Sequence, residues 1–147
     1  MKVKERNHLF AAHGVQMKMN DIPVSWIDIF ESDRRFDAAY ALGSVVRREL
    51  RKSSDIDIAL LPASDVTPMP SDLLELAGLL ADIAGWPVDL GILSSRNLVY
   101  AHQAILTGKC VWRRAGAGVD MRIATLLGLY ARFQFDRREV LDAYRAG

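Results

Sequence analysis

The segment LGSVVRRELRKSSDIDIALL, from Leu42 to Leu61, sets two aspartates, Asp55 and Asp57, in an apolar run with the composition of a strand. Residues i and i+2 of a strand point to the same face of its sheet. Two carboxylates held that close repel each other and are costly to bury, unless a divalent cation lies between them. Mg²⁺ commonly uses one or two protein carboxylates together with substrate phosphates. The alternative interpretation is an exposed face of an edge strand, or an aspartate that caps a turn.

Gly43 and Ser44 stand at the start of the same segment, directly after a second apolar run, FDAAYAL. A glycine after a strand lets the backbone bend sharply and approach a ligand closely. A serine that opens a helix adds a hydroxyl donor to the free N–H groups there, and together they favour a phosphate. The alternative is a simple turn with a serine N-cap.

A third aspartate, Asp89, occupies the middle of the apolar run WPVDLGIL, where Val88 and Leu90 point to the opposite face. If this run pairs as a strand beside Asp55–Leu61, Asp89 joins the same acidic cluster. The alternative is a solvent-facing strand position.

Helical and strand patterns alternate along the chain, which predicts an α/β fold with a small mixed sheet of three to four strands flanked by helices. Ser71 is the expected N-cap of a helix in SDLLELAGLLADIAG. In chain order the predicted elements are a helix in VSWIDIFESDRR, a strand in FDAAYAL, a short helix in SVVRRELRK, a strand in DIDIALLP, a helix in SDLLELAGLLADIAG, a strand in WPVDLGIL, a helix in SSRNLVYAHQAILTGK, a strand in CVWRR, a helix in VDMRIATLLGLYARFQF, and DRREVLDAYRAG as a further helix or its continuation.

The length of 147 residues fits one domain, which we expect at residues 21–147 with a core at 36–113 and a C-terminal helical segment at 119–145. Residues 1–20 are interpreted as a leader, either a short amphipathic helix or a frayed tail, with no signal-peptide core. The net charge of +1 gives no support to broad binding of nucleic acid or of a membrane. The single cysteine, Cys110, is compatible with a reducing cytoplasm and is interpreted as core.

The remaining polar candidates carry weaker signals. His8, His13 and His102 lack partners at metal-ligand spacing. A set of arginines in the C-terminal third could meet an acidic partner or RNA, but a solvated helix face is the favoured interpretation because acidic residues balance the charge. These are Arg113, Arg114, Arg122, Arg132, Arg137 and Arg138.

Taken together, Gly-Ser, ten intervening residues, Asp-x-Asp and a later strand aspartate resemble the nucleotidyltransferase superfamily related to DNA polymerase beta. GSVVRRELRKSSDIDIALL resembles the minimal nucleotidyltransferase (MNT) group in particular. The later stretches LVYAHQAILTGKCVW and LYARFQFDRREVLDAY are also similar to that group, so the resemblance spans Phe36 to Tyr144. The nucleotidyltransferase fold is what this resemblance implies.

The resemblance also implies roles for individual residues. Gly43 and Ser44 would hold the triphosphate of ATP. Arg47 matches an arginine common in the group and would contact a phosphate or position the loop; the alternative is a solvated helix face. Asp55 and Asp57 would bind two Mg²⁺ ions, while Asp89 would complete one metal site and act on the attacking hydroxyl. The group often has glycine where this chain has Arg48, which predicts a more helical loop.

The activity that the resemblance implies is that of an MNT antitoxin in a toxin–antitoxin pair. Such a protein transfers AMP from ATP to a tyrosine of a HEPN-domain ribonuclease toxin, with which it would assemble. Two alternatives stay open: an antitoxin that acts by binding alone, and a nucleotidyltransferase acting on a small hydroxylated molecule such as an aminoglycoside. The second would need an acceptor pocket, for which the residues after Gly118 are little material.

Overall fold

The computed structural model describes residues 22–43 and 55–147. The leader at residues 1–20 and the predicted short helix beginning at Ser44 lie outside this range. Within it, the elements are α1 (Val24–Ser32), β1 (Phe36–Leu42), β2 (Ile56–Pro62), α2 (Pro70–Ala84), β3 (Val88–Ile92), a 3₁₀ turn (Ser95–Asn97), α3 (Leu98–Thr107), β4 (Lys109–Arg113) and α4 (Val119–Ala146). The predicted alternation of strands and helices is therefore confirmed for the described residues.

The four strands form one mixed sheet in the order β3-β2-β1-β4. Strand β1 lies in the middle and pairs antiparallel with both β2 and β4, whereas β2 and β3 run parallel. The parallel pair follows from the chain order, because a strand–helix–strand unit returns in the same direction through its crossover helix, here α2. Helices pack on both faces of this sheet.

One face of the sheet packs against α1 and α2. Trp26 and Phe30 of α1 are fully buried with Leu76 and Leu80 of α2, and the Trp26 indole N–H donates to the Leu80 carbonyl at 3.1 Å. Phe30 also stacks on Trp112 of β4, with the ring centroids 5.3 Å apart. Burying each apolar side chain of this size contributes roughly 1.5–3 kcal/mol to the stability of the fold, so this layer holds α1 and α2 firmly on the sheet.

The opposite face packs against α3 and the first turns of α4. Ala101 and Ala104 of α3 and Val119 and Ile123 of α4 are buried there against the sheet. The strand residues of this face include Ala59, two positions after Asp57 along β2. Because side chains alternate along a strand, Asp57 points to the α3 side of the sheet.

Helix α2 begins earlier than the sequence suggested. The structure has Met69 rather than Ser71 at the N-cap, Pro70 in the first turn, and the Asp72 carboxylate accepting the Met69 backbone N–H at 2.8 Å. A proline is well suited to a first helical position because its missing N–H would be unpaired there and its φ is already helical. The predicted cap at Ser71 is therefore wrong by two residues.

Helix α4 is continuous over 28 residues, which settles the alternative left open for DRREVLDAYRAG. It starts after Gly118, whose φ of 65° is in the left-handed region that favours glycine. Its buried residues, Val119, Ile123 and Leu126, all lie in the first turns. At 1.5 Å per residue the helix is about 42 Å long, so its second half extends away from the sheet.

Candidate active site

Asp57 and Asp89 are brought together by strand pairing. In the parallel ladder between β2 and β3 the two aspartates are register partners. Residues paired in this way stand side by side on the same face, here the face that looks towards α3. The strand of Asp89 therefore pairs beside the strand of Asp57, as the acidic cluster predicted from the sequence requires.

Asp55 precedes β2 by one residue and is exposed. Its neighbour Ile56 is fully buried and donates its backbone N–H to the Pro87 carbonyl at 2.8 Å, which anchors the chain where β2 begins. Asp55 is close enough for its charge to act on Asp57. All three aspartates therefore lie at the same edge of the sheet, where β2 and β3 begin.

The backbone of Gly43 closes against this acidic edge. Leu42, the last residue of β1, is the register partner of Asp57, and Gly43 follows with a φ of 59°. A Cβ at Gly43 would lie 3.4 Å from Oδ2 of Asp57, so the turn after β1 passes directly beside that carboxylate. Ser44 and Arg47, the other predicted phosphate-binding residues, lie outside the described residues.

The electrostatics of the site centre on Asp57. Burial raises the pKa of the Asp57 carboxyl above its ordinary value of 3.8, and the nearby charges of Asp89 and then Asp55 raise it further. Each cause disfavours the ionised form, since burial removes water and like charges repel. A cation placed between the carboxylates would reverse both effects, because it would be the largest charge in the site.

A cleft of about 430 Å³ opens beside Asp57, between the sheet edge and α3. Its lining combines the strand end with one face of the helix and consists of Leu42, Gly43, Asp57, Tyr100, Gln103, Ala104 and Thr107. A smaller adjoining hollow of about 280 Å³ reaches Asp89, Leu90 and Gly91 and shares Leu42, Asp57 and Tyr100 with the cleft. The two spaces together leave room for an extended ligand along the carboxylates.

Sequence reasoning missed Tyr100, which stands in the wall of both spaces. Burial raises the pKa of the Tyr100 phenol, and the charges of Asp57 and then Asp89 raise it further, so the hydroxyl keeps its proton. Two sequence signals could have found it. Tyr100, Gln103, Ala104 and Thr107 follow the spacing of one helical face, and Gly91 leaves a gap in β3 two residues after Asp89.

The residues fit a magnesium–nucleotide complex better than a site made of protein ligands alone. Across residues 22–43 and 55–147, no group of three or more His, Cys, Asp or Glu side chains is arranged to hold a metal ion by itself. The register pair supplies carboxylate oxygen donors from Asp57, whose pKa is raised, and from Asp89 beside it. Mg²⁺ typically takes one or two carboxylates and completes its shell with substrate phosphates and water.

Two of the arginines predicted to lie on a solvated face are structural instead. Arg114 donates from Nε to Oδ1 of the buried Asp37 at 3.1 Å, and Arg122 donates from Nη1 to its Oδ2 at 2.8 Å. Arg114 also donates to the Phe30 and Phe36 carbonyl oxygens, and Arg122 to the Pro62 carbonyl oxygen. This cluster, the Asp37 clasp, joins α1, the sheet and α4, and it lies at the start of β1, whereas Leu42 at the end of β1 pairs with Asp57.

The other candidates from the sequence are also engaged in packing. His102 stacks on Tyr130 of α4, with the ring centroids 3.7 Å apart. Cys110 is half-buried, and its thiol donates to the Trp112 carbonyl at 3.4 Å. His8 and His13 fall outside the described residues. No helix in the part of the chain that the structure describes has the length and apolar character to cross a membrane.

A mixed sheet with paired carboxylates beside a glycine turn is the architecture of a nucleotidyltransferase. The family model described as "Polymerase beta, Nucleotidyltransferase" matches residues 25–116, more than half of the chain. The chain therefore belongs to the polymerase beta nucleotidyltransferase family. No curated protein sequence matches it.

Solved structures of toxin–antitoxin complexes contain chains similar to this one, which confirms the resemblance to the MNT group. A chain from a toxin–antitoxin structure with AMP-PNP is 27% identical, with a TM-score of 0.63 and an alignment covering 78% of this chain and 90% of that one. A chain from the MntA–HepT toxin–antitoxin structure is 25% identical, with a TM-score of 0.61 and coverages of 83% and 95%.

A third similar chain comes from a structure of a tri-AMPylated Shewanella oneidensis HEPN toxin in complex with an MNT antitoxin. It is 21% identical, with a TM-score of 0.61 and coverages of 98% of this chain and 99% of that one. At this identity the similarity concerns the fold alone. The coverage indicates that the shared fold extends well beyond the residues matched by the family model.

Proposed function

We propose that this protein is an antitoxin that transfers AMP from ATP to a tyrosine hydroxyl of a HEPN-domain ribonuclease toxin, and so neutralises it. The observation that carries the proposal is the register pair Asp57 and Asp89 beside the turn at Gly43. The similar chains in complexes with AMP-PNP and with a toxin support the nucleotide and the kind of partner. The proposal includes a cytoplasmic setting, a single domain at residues 21–147 and an assembly with the toxin.

The triphosphate side of the proposed site is formed by the turn after β1. Gly43 has no side chain between its backbone and Asp57, so a phosphate can approach the main chain and the carboxylate together. Ser44 would add a hydroxyl donor and Arg47 a positive charge. Arginine suits this task because its guanidinium presents several N–H donors to phosphate oxygens.

Asp55, Asp57 and Asp89 would hold two Mg²⁺ ions together with the phosphates of ATP. When bound, such a metal pair stabilises the charge on the attacking and leaving oxygens of an in-line displacement. The chain's own contribution is to fix the carboxylates: β2 and β3 hold Asp57 and Asp89 in register, and buried Ile56 anchors the start of β2 beside Asp55.

The transfer itself forms one bond and breaks another. The tyrosine oxygen of the toxin bonds to the α-phosphorus of ATP, the bond between that phosphorus and the bridging oxygen to the β-phosphate breaks, and pyrophosphate leaves. The phenolic proton passes to a carboxylate, for which we propose Asp89. Asp89 is exposed at the edge of the sheet, where a macromolecular acceptor can reach it.

The direct test is transfer of label from [α-³²P]ATP to the toxin encoded beside this protein, with mass spectrometry to locate the modified residue. Wild type should add AMP to a tyrosine, and Asp57→Asn should reduce the rate by at least about a hundredfold. Asp65→Asn is the matched control, since Asp65 is an exposed aspartate in the loop after β2 and should leave the rate unchanged. Equal transfer by Asp57→Asn would contradict the proposal.

The same variants separate the alternatives. If Asp57→Asn protects cells from the toxin as well as wild type does, the protein acts by binding alone. If the toxin accepts no label while an aminoglycoside does, the acceptor is a small hydroxylated molecule. The proposed function predicts neither result, because it requires both the carboxylate and a tyrosine on the toxin.

A further inference from the structure

Tyr100 is fixed at the junction of the two spaces beside the carboxylates. It lies in the first turn of α3, and its backbone N–H donates to the Asn97 side chain, which caps the helix, at 3.3 Å. One turn further on, Ala104 is buried against the sheet. The cap and the buried alanine fix the start of α3, and with it the backbone of Tyr100, beside the sheet.

The phenol of Tyr100 rests on the bare backbone of Gly91. A Cβ built at Gly91 would lie 2.0 Å from the phenol oxygen Oη and 2.5 Å from the ring carbon Cζ. Real atoms do not approach so closely, so any side chain at this position would displace the ring. Gly91 follows Asp89 by two residues on the same face of β3, which brings the hydroxyl to the acidic pair.

The hydroxyl of Tyr100 has an unused donor in the described part of the chain. No hydrogen bond joins it to another residue in 22–43 or 55–147, although it faces the hollow that contains Asp57 and Asp89. A phenol carries one donor hydrogen, and a phosphate oxygen accepts such a bond well. The ring position, the free donor and the adjoining cleft therefore indicate a ligand contact at this point.

We propose that Tyr100 is a nucleotide-binding residue, whose hydroxyl donates a hydrogen bond to a phosphate oxygen of the nucleotide held beside Asp57 and Asp89. Gly91 is its positioning residue, because the missing side chain is what lets the phenol lie there. This inference rests on the proposed function, since it assigns a contact within the same site. It adds a protein donor on the α3 side, opposite the turn at Gly43.

The first test measures binding without any transfer step. Calorimetry with AMP-PNP and Mg²⁺ should show binding to wild type and about tenfold weaker binding to Tyr100→Phe, which keeps the ring and removes the donor. Gly91→Ala should weaken binding at least as much, since its Cβ displaces the phenol. Tyr144→Phe is the matched control, because that tyrosine is 88% exposed near the end of α4 and should bind as wild type does.

A spectroscopic signal separates a direct contact from a structural effect. Protein labelled with ¹³C at the tyrosine ζ carbon gives resonances for 4 tyrosines, and the one missing in Tyr100→Phe identifies Tyr100. That resonance should shift when AMP-PNP and Mg²⁺ are added. In the transfer reaction, Tyr100→Phe should raise the KM for ATP more than it lowers kcat.

Three results would overturn the inference. Unchanged affinity in Tyr100→Phe, with a Tyr100 resonance that does not move, would remove the contact while leaving the proposed function intact. Failure of wild type to bind AMP-PNP with Mg²⁺ would remove both together. AMP attached to Tyr100 itself after incubation with ATP would make it an acceptor rather than a binding residue.

Discussion

Asp57 of β2 and Asp89 of β3 are register partners in a parallel ladder, and Leu42 of β1 is the register partner of Asp57 on its other side. This places the turn at Gly43 directly against the carboxylate pair. Strand pairing therefore brings Leu42, Asp57 and Asp89 side by side.

The free energy of unfolding of the metal-free protein should depend on pH through the ionisation of Asp57. Its carboxyl pKa is raised above 3.8 in the folded state, so its contribution to stability is fully present below that pH. The contribution is lost as pH rises through the folded-state pKa, because folding then opposes ionisation. Asp57→Asn should therefore become more stable relative to wild type as pH rises above 3.8.

Urea unfolding of both proteins across this pH range measures the difference. A difference between Asp57→Asn and wild type that does not change with pH would mean that burial and the neighbouring charges do not disfavour ionisation of the Asp57 carboxyl.

The Asp37 clasp should account for a large share of the stability. Asp37 is 7% exposed and pairs with both Arg114 and Arg122, so Asp37→Ala removes the carboxylate that these two partly buried cations share and leaves Arg114 only the Glu31 carboxylate, 3.8 Å away. Breaking a buried pair in this way typically costs about 3–5 kcal/mol. The free energy of unfolding, measured in urea, should fall by that amount.

The pair Arg113–Asp120 provides the contrast for this measurement. Its carboxylate is 85% exposed, so Asp120→Ala should cost no more than about 1 kcal/mol. Similar costs for Asp37→Ala and Asp120→Ala would show that the clasp is not a buried network.

A side chain at Gly108, between α3 and β4, should destabilise the fold. A Cβ there would lie 2.4 Å from the Ala104 carbonyl oxygen and 2.4 Å from Cδ2 of Leu42. Crowding of this kind costs about 1–3 kcal/mol, so Gly108→Ala should lower the thermal midpoint and shift Leu42 at the cleft. Gly128→Ala in α4 has open space and should instead stabilise by about 0.8–1 kcal/mol. A stabilising Gly108→Ala would contradict the packing around Leu42.

Much of the fold and the acidic edge could be predicted because their signals are local. Asp55 and Asp57 follow the two-residue period of a strand, and the helical run after them requires a crossover that returns β3 parallel to β2. The position of Asp89 then follows from the same period. Glycines also marked the ends of elements, as at Gly85, where α2 stops in a left-handed conformation.

The parts that escaped prediction depend on contacts between distant residues. Asp37 is 77 residues from Arg114 and 85 from Arg122, and nothing near any of them signals the clasp. Tyr100 also escaped prediction, since its place beside the carboxylates depends on the gap at Gly91 on a neighbouring strand. The start of α2 differed because Pro70 was a stronger entry signal than Ser71.

Calorimetric binding of ATP with and without Mg²⁺ tests most directly the claim that the Asp57–Asp89 edge is a magnesium–nucleotide site. Wild type should bind ATP only when Mg²⁺ is present, Asp57→Asn and Asp89→Asn should each weaken binding by at least about tenfold, and Asp65→Asn should bind as wild type does. Binding that is independent of Mg²⁺ and unchanged in Asp57→Asn and Asp89→Asn would contradict the claim.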